Sequence, residues 1–383
     1  MNQSTRGRGL QRRTVLQALA SAAAVPSAAV WAQAEPIKLG AVLSLTGPGA
    51  GLGIPERNGI QLAEKAINDR GGVGGRQIRV LIDDDGSKPD LAKSKAEAMI
   101  FTEKVPIMIG PSLTASTGAI AAITNAEKMA QLTFTGLGPP IEMSYKSLFH
   151  LLPPQSLNAR AMLEYATKAA KARKIGVLHD TGYGQAVMAS LQQVTGSYGV
   201  EYVAVERFEV GATDVSAQAA KVRAAQPDVV FVIATSPVPF RNARQMRITQ
   251  QIISAIGSAS YDYVRGMGEF ADDIVFPEFV VGEEPLPRQQ EFVELYRKAH
   301  GNVPKNFEAA GWDAVQVAAK AMAKAGVTDR EAIAAAIRAP HEGVMASYNF
   351  AAPDMTGIDL GSYVYSRLVK GKFTRLPFTT KGA

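Results

Sequence analysis

Short apolar runs alternate along most of the chain with segments that have apolar residues at helical spacing. The run at 37–45 has the length of a buried strand, and Ile60, Ala63 and Ile67 follow it at helical spacing. This alternation continues to residue 135, and a second series of similar plan runs from 161 to 256. Strands that alternate with helices are typical of doubly wound parallel sheets, so we predict an α/β protein with two such halves.

The last third of the chain has a different pattern. Helices are predicted at 289–300, 307–325 and 330–339, and Pro340 ends the last of them. Residues 362–373, with Lys370-Gly371-Lys372 near their end, predict a hairpin. A helical block after two α/β halves suggests that the chain crosses back to the first half, and such crossings would form a hinge.

Residues 1–34 have the features of an export signal. A basic start is followed by an Ala-rich apolar stretch and by Ala32-Gln33-Ala34, which is typical of a cleavage site. We therefore expect Glu35 to begin the mature protein. The pair Arg12-Arg13 resembles the twin-arginine signal, although Val15 and Gln17 depart from its usual residues, so the general export route stays open.

The composition limits the cellular compartment and the classes of binding partner that we expect. Removal of the four arginines in 1–34 lowers the formal net charge from +6 to +2, which gives little support to a nucleic-acid or anionic-membrane partner. The chain has no cysteine, so a disulfide framework, a thiolate metal site and a lipidated cysteine are excluded. No later segment reaches the roughly 20 apolar residues of a membrane span. We expect a soluble, monomeric protein in the periplasm.

Motifs for catalysis or for cofactors are weak. The glycines at 47, 49, 51 and 53 lack the Gly-Lys-Ser/Thr ending of a phosphate loop and the spacing of a dinucleotide site, which leaves a flexible turn or one wall of a ligand site. The four histidines are scattered, and Asp83-Asp84-Asp85 is more typical of a solvated turn than of a cation site. We predict no cofactor, no metal and no catalytic residue.

The hydroxyl-rich loop at 110–117 is more informative. It follows a short buried strand and opens a predicted helix, so its hydroxyl and N–H groups could hold a carboxylate at the helix terminus. Simple N-capping needs only one of these residues, and the two roles can coexist.

Several segments in order resemble the leucine/isoleucine/valine-binding protein family, which comprises periplasmic receptors of ABC transporters. These segments are 37–68, 71–76, 83–85, 105–112 and 179–184, and the similarity extends to about residue 373. The resemblance implies a type I binding protein, with two doubly wound parallel-sheet lobes joined by a three-strand hinge. On that pattern the N-terminal lobe comprises 35–154 plus 285–344, and the C-terminal lobe comprises 155–284 plus 345–383.

The resemblance also assigns a ligand site between the lobes. Thr114, Ala115 and Ser116 match its carboxylate-binding position, and Tyr183 matches an aromatic that lines the cleft. The other matching positions lie in the opening loop and at strand ends of both halves: Leu52, Thr135, Leu137, Thr235, Ser236, Ala259 and Tyr261.

One departure changes the expected ligand. Ala259 stands where amino-acid receptors of the family have an acid for the ligand ammonium, although Asp262 is close enough in sequence to replace it. A buried ammonium without a partner is very costly, so we predict an apolar or aromatic carboxylate instead of a plain amino acid.

The predicted function is that of a non-enzymatic solute receptor, which passes its ligand to an inner-membrane ABC permease. A branched-chain or other amino-acid receptor is the alternative within the family. A periplasmic enzyme on the same fold, or a sensory module that signals to a membrane kinase, are alternatives of another class.

Overall fold

Near-continuous apolar runs form the inner strands of a five-stranded parallel sheet. In the computed structural model, which describes residues 1–3, 35–135 and 144–380, the first of these runs is β1, Ile37–Leu43. The strands that complete the sheet are β2 (Ile78–Asp84), β3 (Met108–Ile109), β4 (Gln131–Thr133) and β5 (Leu148–His150). Their order in the sheet is β2-β1-β3-β4-β5. The helices that connect them include α1 (Ala50–Asp69), α2 (Pro89–Glu97) and α3 (Thr114–Ala126).

A second sheet repeats this plan and adds a hairpin. Its parallel strands are β6 (Lys174–Asp180), β7 (Glu201–Phe208), β8 (Val229–Ile233), β9 (Gln251–Ile253) and β10 (Ile274–Glu278). The helices of this region are α4 (Gln155–Glu164), α5 (Tyr183–Val194), α6 (Ser216–Ala224), α7 (Val238–Gln245) and α8 (Tyr261–Met267). The strand order β7-β6-β8-β9-β10 is the counterpart of the order in the first sheet.

The remaining elements return the chain to α1. These are α9 (Gln290–His300), α10 (Asn306–Ala325), α11 (Arg330–Ile337), the short strands β11 (His341–Glu342) and β12 (Ser347–Tyr348), and the hairpin β13 (Val364–Val369) and β14 (Lys372–Arg375). Helix α10 packs closely on α1, whereas β13 joins the second sheet antiparallel to β10. The predicted terminal hairpin is therefore confirmed.

The structure differs from the predicted elements at the glycine loop. Helix α1 begins at Ala50, so Gly51 and Gly53 lie inside the helix and not in a turn. Gly53 is needed for close packing, because a Cβ there would lie 2.2 Å from the backbone oxygen of Ser44. Gly47, with φ of +78°, is the glycine that forms the turn itself.

All the elements described above belong to one unit, Pro36–Ala383. None of the helices in the described ranges has the length and the apolar character needed to cross a membrane. The predicted export signal falls on 4–34, outside the described residues.

Candidate functional site

Both large sheets reverse their strand order at one position. In the first sheet the reversal lies between β1 and β3, and in the second sheet it lies between β6 and β8. Ligands of open α/β sheets bind beyond the carboxyl ends of the strands at such a switch point. The loops that follow these four strands, at 44–49, 110–113, 181–182 and 234–237, therefore define the candidate site.

The loop after β3 leads into a helix N-terminus that lacks a side-chain cap. Leu113 occupies the N-cap position of α3 in an extended conformation and makes no capping hydrogen bond. Thr114 and Ala115 are exposed, whereas Ser116 is fully buried, and its Oγ has no hydrogen-bond partner among the described residues. Uncapped N–H groups at the start of a helix attract anions.

A second predicted residue meets this helix from the loop after β4. The Oγ1 atoms of Thr114 and Thr135 lie 2.8 Å apart, and either can donate the hydrogen bond. Thr133 holds Thr135 in place, because its Oγ1 donates a hydrogen bond to the backbone oxygen of Thr135 at 2.8 Å. The structure thus brings together two hydroxyls that the sequence had assigned to the ligand site. The prediction for Leu137 falls outside the described residues.

The acids at the end of β2 fix the loop after β1. Asp84 Oδ1 accepts hydrogen bonds from the backbone N–H groups of Leu45 at 2.8 Å and Thr46 at 3.1 Å. Asp85 Oδ1 accepts from Ser44 Oγ at 2.8 Å. The carboxylates of Asp84 and Asp85 therefore position the loop after β1. The described part of the chain contains no group of three His, Cys, Asp or Glu residues that could hold a metal ion.

A buried acid connects the loop after β3 to α1. Ser112 Oγ donates to Glu56 Oε2 and accepts from the backbone N–H of Ser44 at 3.2 Å. Burial raises the pKa of Glu56 well above its ordinary value, and the negative charges of Asp85 and Glu308 act in the same direction. Glu56 therefore holds its proton to a higher pH than a solvent-exposed glutamate does, and through Ser112 it connects α1 to the loops after β1 and β3.

One carboxylate organises the loops of the second sheet. Asp180 Oδ1 accepts from the N–H groups of Gly182 at 3.0 Å and Gly184 at 2.7 Å, and its Oδ2 accepts from Thr235 N at 3.1 Å. The predicted site residue Tyr183 lies inside this turn, and its hydroxyl accepts from Gly257 N at 3.0 Å. Burial raises the pKa of Tyr183 above its ordinary value, so its O–H keeps its proton and remains able to donate.

Two further predicted site residues lie at the starts of helices that follow these loops. Ser236 Oγ accepts from Val238 N at 3.2 Å, which supports the first turn of α7. Leu52 lies in the first turn of α1, where its backbone N–H donates to Gly49 O at 2.9 Å and its side chain is half-buried.

The start of α1 and helix α8 approach each other across the site. A Cβ on Gly51 would lie 3.3 Å from the hydroxyl oxygen of Tyr263. Burial raises the pKa of Tyr263 to about 12, and the charge of Asp262 contributes to the shift. Sequence reasoning selected Tyr261 in this segment and missed Tyr263. No periodic signal indicated Tyr263, because residues two apart on a helix lie on different faces.

A cavity of about 120 Å³ lies beside this contact. Residues of α1, including Ile54 and Asn58, form one side, and the predicted site residues Ala259 and Tyr261 form the other. The Tyr261 ring packs edge-on against Phe373, with the ring centroids 5.1 Å apart. The cavity therefore lies between α1, which follows β1 of the first sheet, and residues 259–265, which follow β9 of the second sheet.

The charged groups of this cavity are mostly paired. Asp262 forms an ion pair with Arg265, and both side chains are more than half exposed. Ala259 is fully buried. Sequence reasoning missed Glu308, which also lines the cavity and whose pKa is raised by burial, with a further contribution from the charge of Asp262.

Comparison with known proteins agrees with the fold. A sequence model of the periplasmic binding protein family matches residues 36–360. The chain belongs to this family. The structure of LivJ, a branched-chain amino acid substrate-binding protein of Streptococcus pneumoniae in complex with isoleucine, superimposes with a TM-score of 0.80 at 24% identity and covers 89% of this chain and 100% of LivJ.

Two further relatives are similar over most of their length. A type 1 periplasmic binding protein of Bordetella pertussis has a TM-score of 0.80 at 23% identity and covers 90% of this chain and 100% of its own. A leucine-, isoleucine-, valine-, threonine- and alanine-binding protein of Pseudomonas aeruginosa is 25% identical over 338 residues, which cover 87% of this chain and 89% of that protein. The predicted family and the predicted type I fold are both confirmed.

Proposed function

We propose that this periplasmic binding protein is the solute receptor of an ABC importer and binds a small organic carboxylate between its two sheets. The observation that carries the proposal is the first turn of α3, where the helix lacks a side-chain cap and the buried Ser116 Oγ lacks a partner. A ligand carboxylate would satisfy both groups, since it accepts hydrogen bonds and carries the charge that a helix N-terminus favours.

The surroundings of Ala259 support an apolar or aromatic body for this carboxylate. Ala259 is buried and cannot pair with an ammonium, and Asp262 is exposed and already paired with Arg265. The ring of Tyr261 and the half-buried Tyr183 would instead contact an apolar body.

The organisation of the chain supports a receptor that closes on its ligand. We infer an N-terminal lobe of 35–154 plus 285–344 and a C-terminal lobe of 155–284 plus 345–383, with Leu52, Thr114 and Thr135 on one wall and Tyr183, Thr235 and Ser236 on the other. Hinge closure around the ligand would expel water from the carboxylate site and prepare the protein for docking on a permease. No catalytic step is required.

Calorimetry on refolded, ligand-free protein tests the proposal. We expect benzoates or phenylpropanoids to bind, and Ser116→Ala to weaken that binding by roughly tenfold or more because a hydrogen bond to a charged group is lost. The control is Ser197→Ala, which removes an exposed hydroxyl on the surface. Unchanged binding in Ser116→Ala would rule out this position for the carboxylate.

A branched-chain amino-acid receptor is the second candidate. The names of the Streptococcus and Pseudomonas relatives favour it, and Glu308 places a second acid in the cavity beside Ala259. Tight binding of leucine with no binding of aromatic acids would establish this candidate and overturn the first. Co-purification with a permease, as opposed to a membrane kinase, would identify the transport partner.

A further inference from the structure

The chain crosses between the regions of the two large sheets three times. The first crossing, 151–154, leads from β5 to α4, the second, 279–289, leads from β10 to α9, and the third, 338–363, leads from α11 to β13. Hinge closure concentrates the backbone rotation in a few such loop residues. Contacts among the crossings therefore determine whether they bend together or separately.

The second-sheet ends of these crossings meet at Tyr363, the last residue of the third crossing. Its ring lies against that of Phe279, the first residue of the second crossing, with the ring centroids 4.4 Å apart. Its hydroxyl donates a hydrogen bond to Asn158 Oδ1 at 2.7 Å. The backbone N–H of Asn158 in turn donates to the oxygen of Pro154, the last residue of the first crossing, at 3.3 Å. One side chain therefore connects all three crossings.

This contact is buried from every side. Phe279 is 0% exposed, Asn158 is 1% exposed and Tyr363 is 2% exposed. Burial raises the pKa of Tyr363 well above its ordinary value, and the neighbouring Tyr365 and Tyr183 act in the same direction. The hydroxyl therefore keeps its proton and remains the donor to Asn158. Loss of this donor would leave a buried acceptor that water does not reach, which is unfavourable.

The backbone of Phe279 is held from the other side, by residues at the starts of α9 and α10. Asn306 Oδ1 accepts hydrogen bonds from Phe279 N at 2.8 Å and from Val280 N at 3.0 Å. Gln289 Nε2 donates to Phe279 O at 2.9 Å. Helix α10 packs on α1, so these bonds fix Phe279 to the region of the first sheet. A rotation of one region against the other therefore acts directly on the contact between Phe279 and Tyr363.

We propose that Tyr363 is a positioning residue of the hinge, which holds the three crossings together where they enter the second sheet so that they bend as one unit. The proposal rests on the proposed closure around a ligand and adds the residue that guides it. Without the Tyr363 hydroxyl, the first crossing is released from the other two. The angle between the two sheets should then vary more widely in the ligand-free protein.

Tyr365, two residues further along the chain, provides a matched control. Its side chain is 0% exposed, and its hydroxyl donates to Ala161 O of α4 at 2.9 Å. Tyr365→Phe therefore removes an equally buried hydrogen bond to α4, at a position away from the crossings. Tyr363→Phe and Tyr365→Phe should lower the midpoint of guanidinium unfolding by similar amounts. Stability alone thus does not separate a hinge role from a structural one.

Double electron–electron resonance on the full protein separates the two roles. The chain has no cysteine, so Lys93→Cys on α2 and Gln192→Cys on α5 provide unique, exposed sites for two spin labels. In refolded, ligand-free protein, Tyr363→Phe should widen the distribution of distances between the labels, whereas Tyr365→Phe should leave its width unchanged. Asn158→Leu, which removes the acceptor instead of the donor, should reproduce the effect of Tyr363→Phe.

Equal widths in Tyr363→Phe and the unchanged protein would overturn the proposal, and so would an equal broadening in Tyr365→Phe. Addition of benzoate tests the proposed function separately. A shift of the mean distance in the unchanged protein would support closure on a carboxylate. The absence of a shift would count against that ligand, whereas the comparison of the ligand-free variants would still decide the role of Tyr363.

Discussion

At the scale of single residues, the raised pKa of Glu56 has the clearest consequence for the pH dependence of stability. Below its ordinary value of 4.5 both the folded and the unfolded states carry the proton, so this group has no effect on stability there. Above 4.5 the unfolded chain releases the proton first, and the free energy of unfolding falls by about 1.4 kcal/mol per pH unit until the folded carboxyl also ionises.

Glu56→Gln should remove this pH dependence. The amide is close in shape to the protonated acid and keeps an acceptor for Ser112, so we expect the variant to lose less stability than the unchanged protein between pH 5 and 7. Guanidinium unfolding at several pH values measures the difference. Glu294→Gln, on the exposed face of α9, should leave the slope as it is. Parallel curves for Glu56→Gln and the unchanged protein would contradict the raised pKa of Glu56.

Gly51 is a second residue whose small size matters. Gly51→Ala should leave the free energy of unfolding unchanged or raise it by up to about 1 kcal/mol, because alanine favours the helix and the Tyr263 side chain can move slightly. Gly51→Leu should hold α1 and α8 apart, because the larger side chain would meet Tyr263. If the lobes close on the ligand as proposed, this separation should cost about 1–3 kcal/mol of binding free energy and weaken binding roughly tenfold.

Calorimetry with the acid that binds the unchanged protein best, together with small-angle scattering of the liganded state, checks the Gly51 prediction. Gly196→Leu is the control, since a Cβ at Gly196 meets nothing within 4 Å. Normal affinity and a normal radius of gyration in Gly51→Leu would show that the contact with Tyr263 plays no part in closure.

The sequence predicted part of the candidate site and missed another part for a physical reason. Thr114 could be predicted because a run of hydroxyls between a buried strand and a helix is a local pattern. Tyr263 and Glu308 could not, because each enters the site through the packing of a distant segment. Their positions depend on how α8 and α10 approach α1, which local periodicity does not specify.

At the scale of elements, the crossing of α1 and α10 depends on two glycines. A Cβ on Gly59 would lie 1.9 Å from the backbone oxygen of Glu308, and a Cβ on Gly311 would lie 2.2 Å from that of Glu56. Each helix therefore presents a glycine to the backbone of the other. Neither backbone can move away easily, because both helices are buried against their neighbours.

Gly59→Ala and Gly311→Ala should each destabilise the protein by about 3 kcal/mol or more, despite the better helix propensity of alanine. Gly196→Ala, in an open position, is the matched control and should change stability by less than about 1 kcal/mol. Thermal and guanidinium unfolding measure the effect. A small loss in Gly59→Ala would mean that the helices can separate without penalty.

Most elements were predictable, and the misses have identifiable causes. Periodicity indicated α10 well, because its apolar pattern extends over 20 residues and long patterns are strong signals. Strand β10 was missed because it contains Pro277, which argues against an inner strand. Helix α8 has only seven residues, too few for a clear helical period.

At the scale of the whole molecule, a buried ion pair fastens the start of α10 to the second sheet. Lys305 Nζ lies 2.5 Å from Glu278 Oε2, and both side chains are almost fully buried. Glu278 ends β10 and also accepts from Ser366 of β13 and from Asn306 Nδ2 at 3.2 Å. The Lys305 ammonium lies 3.4 Å from the centroid of the Phe373 ring. Segments far apart in sequence therefore meet at one charged centre.

Lys305→Met should lower the free energy of unfolding by about 3–5 kcal/mol, because it leaves the Glu278 charge buried without its partner. The double variant Lys305→Met with Glu278→Gln should recover a large part of that loss. Lys38→Met, which breaks the exposed pair with Glu103, should cost less than about 1 kcal/mol. Guanidinium unfolding gives all three values. Equal losses in the buried and exposed variants would show that the pair does not hold the two regions together.

The packing of α9 on α10 also determines what optical spectroscopy can detect. The sequence has two tryptophans, and Trp312 is the one that remains if 1–34 is removed. It is 5% exposed and packs on Phe292, so its emission should be shifted to short wavelength. Intrinsic fluorescence would then report on the packing between α9 and α10, and a titration without a tryptophan signal would be no evidence that the carboxylate site is empty.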